Sequence, residues 1–195
     1  YHSINEPLKT GGASGISAEW TRIAGAINVA AGEDGVAEAE KFVNMEQVIM
    51  WNPDVIFYNT DASGELIRKD ARWATVSAVK NRRVYRMHNG LSRWGHPGSI
   101  EIPLALLWTV RTLYPEYAAS IDMEKETLSY YRRFFNHVLS AENLDKILRS
   151  GGMSLRLDSR GNIYVADNFM PVGVSYPADI AAVMPEDPLK RPYPA

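Results

Sequence analysis

The chain has 195 residues, 46% of them hydrophobic, and a formal net charge of −2. It is long enough to bury one good core, and a charge so close to neutral gives no basic field for gripping nucleic acid. With no cysteine, disulfides, thiolate catalysis and cysteine-ligated metal sites are excluded.

No apolar stretch approaches the roughly 20 residues of a membrane helix. The chain opens at Tyr1 without an initiator Met or a signal-peptide pattern, as a processed or excised piece would. Tyr1–Ile4 reads as the end of a strand. Glu6-Pro7 breaks it, and the glycine-rich loop Thr10–Gly15 leads into a helix from Ile16 to Ala24. There Ile16, Trp20, Ile23 and Ala24 recur at helical spacing, and Gly25 is the stop.

Asn44 and Gln47 form a capping-box pattern for a short helix whose expected buried face is Met45, Val48 and Ile49, with Trp51 as a further candidate. Glu46 falls in its first turn, where the helix dipole favours a carboxylate. Asn52-Pro53-Asp54 ends the helix. Val55-Ile56-Phe57 is then a continuous apolar run, as expected of a strand covered on both faces. A helix over Gly64–Lys69, broken helical turns over Asp70–Asn81 and a strand over Arg83–Met87 follow. A long helix then spans Ser99–Leu113, with two more near Met123–Val138 and Ala141–Arg149. Beyond Gly151 the character changes. Leu155–Asp158 and Ile163–Asp167 flank Ser-Arg-Gly-Asn as a hairpin would, and a proline-rich wrapping tail closes the chain. The expected fold is α/β: a single Rossmann-like lobe over residues 1–150, with a mainly parallel sheet flanked by helices, and an extension over 151–195.

The signatures of common hydrolases, zinc proteases and nucleotide-binding loops are missing, and the four histidines show no metal-ligand spacing. Open α/β sheets bind ligands at the carboxyl ends of their strands. Two such ends are visible, Tyr58–Asp61 and His88–His96. Tyr58, Arg93, Trp94 and His96 are therefore candidate ligand contacts, with arginine suited to an anionic group and tryptophan to stacking. The alternative for Arg93 and Trp94 is a packed loop with a surface arginine. Nothing there forms a nucleophile–base pair, so binding is expected rather than catalysis.

The combination of Asn28 after a glycine turn, Glu46 at a helix start, Pro53-Asp54 before a strand and Ala78-Val79-Lys80-Asn81 before the next resembles a known family. That family is the type III periplasmic substrate-binding proteins, and the resemblance is to their C-terminal lobe, over Tyr1–Arg149. They are ABC-importer receptors for ferric siderophores, haem and cobalamin, and some relatives bind molybdate or tungstate. In them two lobes joined by a rigid helix close on the ligand, and each lobe presents a surface Glu to an arginine of the membrane permease.

The resemblance implies an extracytoplasmic lobe that docks on the permease through Glu46. It implies ligand contacts at Arg93, Trp94 and His96, more weakly at Tyr58, and no intrinsic cofactor. Its cargo would be a metal chelate, a ferric siderophore or haem first, with molybdate, tungstate or cobalamin as alternatives. The N-terminal lobe and bridging helix have no counterpart here, and residues 151–195 match nothing in the family. A metallocluster-enzyme lobe and a protein–protein adaptor remain the readings from other classes.

Overall fold

A computed structural model describes residues 1–32 and 38–149, together with the backbone of 154–157 and 163–166. Five short strands form one sheet in the order β3-β2-β1-β4-β5, with β1 at His2–Ser3, β2 at Lys9–Gly11, β3 at Glu40–Phe42, β4 at Ile56–Tyr58 and β5 at Val84–Arg86. β1 pairs in parallel with β4, and β4 with β5. β2 runs antiparallel to both β1 and β3. Four strands therefore point one way and only β2 reverses, which agrees with a mainly parallel sheet. The antiparallel addition of β2 and β3 was not read from the sequence.

Helices cover both faces. On one lie α1 (Ile16–Ile23), α5 (Ile102–Leu113), α6 (Met123–Phe135) and α7 (Ala141–Leu148). Their core joins Trp20, Phe57, Met87, Trp94, Leu104 and Tyr131. On the other lie α2 (Met45–Trp51), α3 (Asp61–Lys69), a 3₁₀ turn (Ala71–Thr75) and α4 (Ser77–Lys80). There Val48, Ile56, Tyr58, Ile67 and Trp73 are buried together. The alternation of strand side chains puts Phe57 in the first core and its neighbours Ile56 and Tyr58 in the second. This two-sided burial is why β4 reads as an unbroken apolar run.

Local chemistry sets the ends of these elements. The Asn44–Gln47 capping box is complete, with the Asn44 side chain accepting from the Gln47 N–H at 2.8 Å and the Gln47 side chain accepting from the Asn44 N–H at 2.9 Å. Asn52 closes α2 in the left-handed conformation, φ 42°. α3 begins earlier than its apolar pattern indicates, because Thr60 caps it through the Ser63 N–H. α5 begins later, at Ile102, with Pro103 in its first turn. The expected hairpin is present as β6 (Ser154–Leu157) paired antiparallel with β7 (Ile163–Ala166). Its turn and the proline-rich tail lie outside the described residues.

Candidate ligand-binding site

The parallel strands β1 and β4 deliver Asn5 and Asn59 to the carboxyl end of the sheet, and the loop after β5 folds back over them. Between them is a cleft of about 390 Å³ bordered by His2, Asn5, Lys9, Asn59, Arg93 and His96. His2 is buried and fully engaged. Its Nε2–H donates to Asn59 Oδ1 at 2.9 Å, an assignment that follows because an amide oxygen can only accept, and Nδ1 then accepts from the Ser17 hydroxyl at 3.0 Å. Burial pushes the His2 imidazole down to about 4, so it is neutral at pH 7.

The positive charge of the cleft comes from Arg93. Its Nη1 donates to Asn5 Oδ1 at 3.3 Å. Among the described residues no carboxylate forms a salt bridge with it, whereas Lys9 is held by Glu40 at 2.7 Å. Burial lowers Arg93 from the ordinary guanidinium range, but an arginine stays charged at neutral pH. Burial also lowers His96, with the charge of Arg93 adding to the effect. Glu40 also borders the cleft but is paired with Lys9, so the half-buried Arg93 guanidinium is the charge left over there among the described residues, which is chemistry for an anion.

The loop that carries Arg93 is tightly built. Asn89 and Arg93 form an antiparallel bridge, and the Trp94 N–H donates to the His88 carbonyl at 3.0 Å. The His96 N–H reaches the Arg93 carbonyl at 3.2 Å, and His96 Nδ1 accepts from the Gly98 N–H at 3.2 Å. Gly95 has φ +77°, and a Cβ there would come within 2.9 Å of Met87 Cε. That position needs glycine for both backbone and space.

Two expected contacts are corrected. Trp94 is 0% exposed and belongs to the core, edge-on to His88 with ring centroids 5.0 Å apart, so it offers no stacking face to a ligand. Tyr58 is 5% exposed and points to the opposite face of the sheet, where its hydroxyl accepts from Arg68 at 2.7 Å. Strand alternation leaves Asn59, one residue on, as the group that β4 sends to the cleft. Arg93 and His96 do border the cleft together. His2, Asn5, Lys9 and Asn59 were missed. Position at a strand end was the available signal for Asn5 and Asn59.

Glu46 is exposed, as expected. β3 runs in the same direction as β1 and β4, so Phe42–Asn44 emerge at the cleft end of the sheet and α2 starts there. Beside Glu46 is a shallow groove lined by Leu8, Val43, Ile49, Arg72 and Thr75.

Compared with known proteins, the chain has the fold of the periplasmic solute-binding proteins of ABC transporters. It is 30% identical over 145 residues to the molybdate-binding protein MolA of Haemophilus influenzae, covering 73% of this chain and 40% of that protein. The structure of MolA bound to molybdate aligns with a TM-score of 0.60 at 29% identity, over 71% of this chain and 43% of that one. An ABC transporter solute-binding protein of Sulfurospirillum deleyianum aligns at TM-score 0.68 and 24% identity, over 76% and 46%. Helicobacter pylori CeuE with Ni(II) bound aligns at TM-score 0.60 and 20% identity, over 74% and 46%; these last two likenesses concern the fold alone. The chain thus spans less than half the length of the relatives it matches. No family model matches it. The similar proteins are solute binders rather than enzymes, in line with the expectation from the sequence.

Proposed function

We propose that this chain is the C-terminal ligand-binding lobe of an extracytoplasmic ABC-importer receptor, and that its cargo is a compact anion of the molybdate type. The observation that carries the reading is Arg93, a cation without a salt-bridge partner among the described residues, at the carboxyl ends of the parallel strands. Likeness to MolA supports the oxyanion. The sequence favoured an iron chelate, but Trp94, the surface expected to stack on a flat ligand, is buried, and so is the weaker candidate Tyr58. Arg93 and His96 are the contacts retained, and Asn59 is added to them. Glu46 is the residue that addresses the permease, and a second lobe supplies the other half of the cleft.

The test is equilibrium dialysis of a receptor containing this lobe against molybdate and, separately, a ferric siderophore. Retention of molybdate that Arg93→Ala abolishes supports the proposal. Retention of the ferric chelate alone restores the iron reading, and retention of neither overturns both.

A further inference from the structure

The loop that presents Arg93 is tied down at a buried carboxylate. Glu101, at the start of α5, is 0% exposed, and among the described residues no lysine, arginine or histidine forms a salt bridge with it. Its Oε2 accepts from the Ser92 N–H at 2.8 Å and from the Ser92 hydroxyl at 3.1 Å. Its Oε1 accepts from the Tyr131 hydroxyl at 2.6 Å, and Tyr131 in turn accepts from the Leu91 N–H at 3.1 Å. With the carboxyl ionised, Ser92 donates to Glu101 and the Ser99 hydroxyl donates to Ser92 at 2.9 Å; with it protonated, the Oε2–H donates to the Ser92 hydroxyl, which turns to donate to Ser99. A Cβ at Gly90 would overlap both Glu101 Oε1 and the Tyr131 hydroxyl, so the loop backbone lies directly against the pair. The neighbouring groups are Tyr130 and Tyr131 from α6, Ser99 from the segment before α5, and Ser92 and Trp94 from the loop.

We propose that Glu101 is the positioning residue of the cleft: with Tyr131 it clamps the loop bearing Arg93 and His96, and its protonation state sets how firmly that loop stays closed. Glu101 touches no ligand; it acts through Ser92, the residue before Arg93. The inference rests on the proposed function only for what the loop grips.

The sign of the pH effect follows from burial. Burial, opposed by the hydrogen bonds from Tyr131 and Ser92, holds the Glu101 carboxyl above the usual carboxylate range. Opening the loop would hydrate it and return it toward the ordinary range. The closed form therefore binds the proton more tightly, so closure is firmest in acid and weakens as pH rises through the raised value.

Hydrogen exchange of the intact chain, corrected for intrinsic rates, tests this without any ligand. Protection of segment 88–98 in the wild type is expected to fall as pH rises above the ordinary carboxylate range, by about tenfold for each unit by which burial raises the carboxyl. Glu101→Gln keeps an acceptor for Ser92 and can donate to Tyr131, so it should stay protected and lose the pH slope. Tyr131→Phe should raise exchange in 88–98 while α3 is unchanged. A wild-type slope in Glu101→Gln, or a Tyr131→Phe effect spread evenly over the protein, would overturn the proposal. Molybdate failing to bind the wild type would sink the oxyanion reading and leave the exchange result decisive for Glu101.

Discussion

Arg93 and Trp94 are adjacent in the chain and opposite in role, and their substitutions should separate cleanly. Trp94→Ala removes a fully buried ring and is expected to cost about 3–5 kcal/mol in urea unfolding. Arg93→Ala should stay within about 1 kcal/mol of wild type while losing anion binding. The sequence placed both on one glycine-flanked loop. It could not show which one turned inward, because Gly95 takes a conformation that no apolar periodicity records. His2 gives a second prediction. Its folded value of about 4 lies below the ordinary imidazole value, so the unfolded chain binds the extra proton. Stability from His2 is therefore present above about pH 6.5 and is lost as pH falls toward about 4, by about 3 kcal/mol in all. His88, also near 4 and half-buried against Trp94 and Trp108, adds in the same direction. Urea midpoints at neutral and mildly acid pH should show the loss, and His2→Gln should reduce it.

Among the elements, α2 was the most legible. Its cap, the buried Met45 and Val48 and the strand it feeds were visible in Asn44–Phe57, because capping and two-sided burial each leave a local mark; Ile49, expected on the buried face, is exposed. Asn44→Ala should lower stability by about 1 kcal/mol. Glu46→Arg, at an exposed position in the same first turn, should change it by less than about 1 kcal/mol. If Glu46 addresses a permease, Glu46→Arg abolishes uptake in a cell-based transport assay while ligand retention is unchanged; intact uptake would remove Glu46 from that role. α3 yields a less intuitive prediction. Glycine inside a helix is usually improved by alanine, yet a Cβ at Gly64 would overlap the Tyr58 ring. Gly64→Ala is therefore expected to destabilise by about 1–3 kcal/mol in denaturant melts. That contact also explains why the direction of Tyr58 was misread. An apolar run of three residues tells that both faces of a strand are covered, but not which residue takes which face.

At the scale of the molecule, strand–helix alternation was enough to foresee a parallel α/β lobe, since each crossover helix leaves its own periodicity. The β2–β3 addition was invisible, because Lys9–Gly11 and Glu40–Phe42 are brief, the first largely buried and the second largely exposed, and owe their pairing to contacts across the fold. The cleft was legible only in outline. His2 and Asn5 come with β1 and Asn59 with the end of β4, 57 residues from His2, and no local pattern brings them together. A lobe that supplies half of a cleft should bind accordingly. If a closed receptor binds at nanomolar affinity, about −12 kcal/mol, an equal share of about −6 kcal/mol leaves this chain at tens of micromolar or weaker. The most direct check is an NMR titration of the isolated chain with molybdate, following the Arg93 Nε–H resonance. A saturable shift centred on Arg93, with dissociation at tens of micromolar or weaker, is the predicted result. An Arg93 resonance that stays still, or nanomolar binding by this chain alone, would contradict the account.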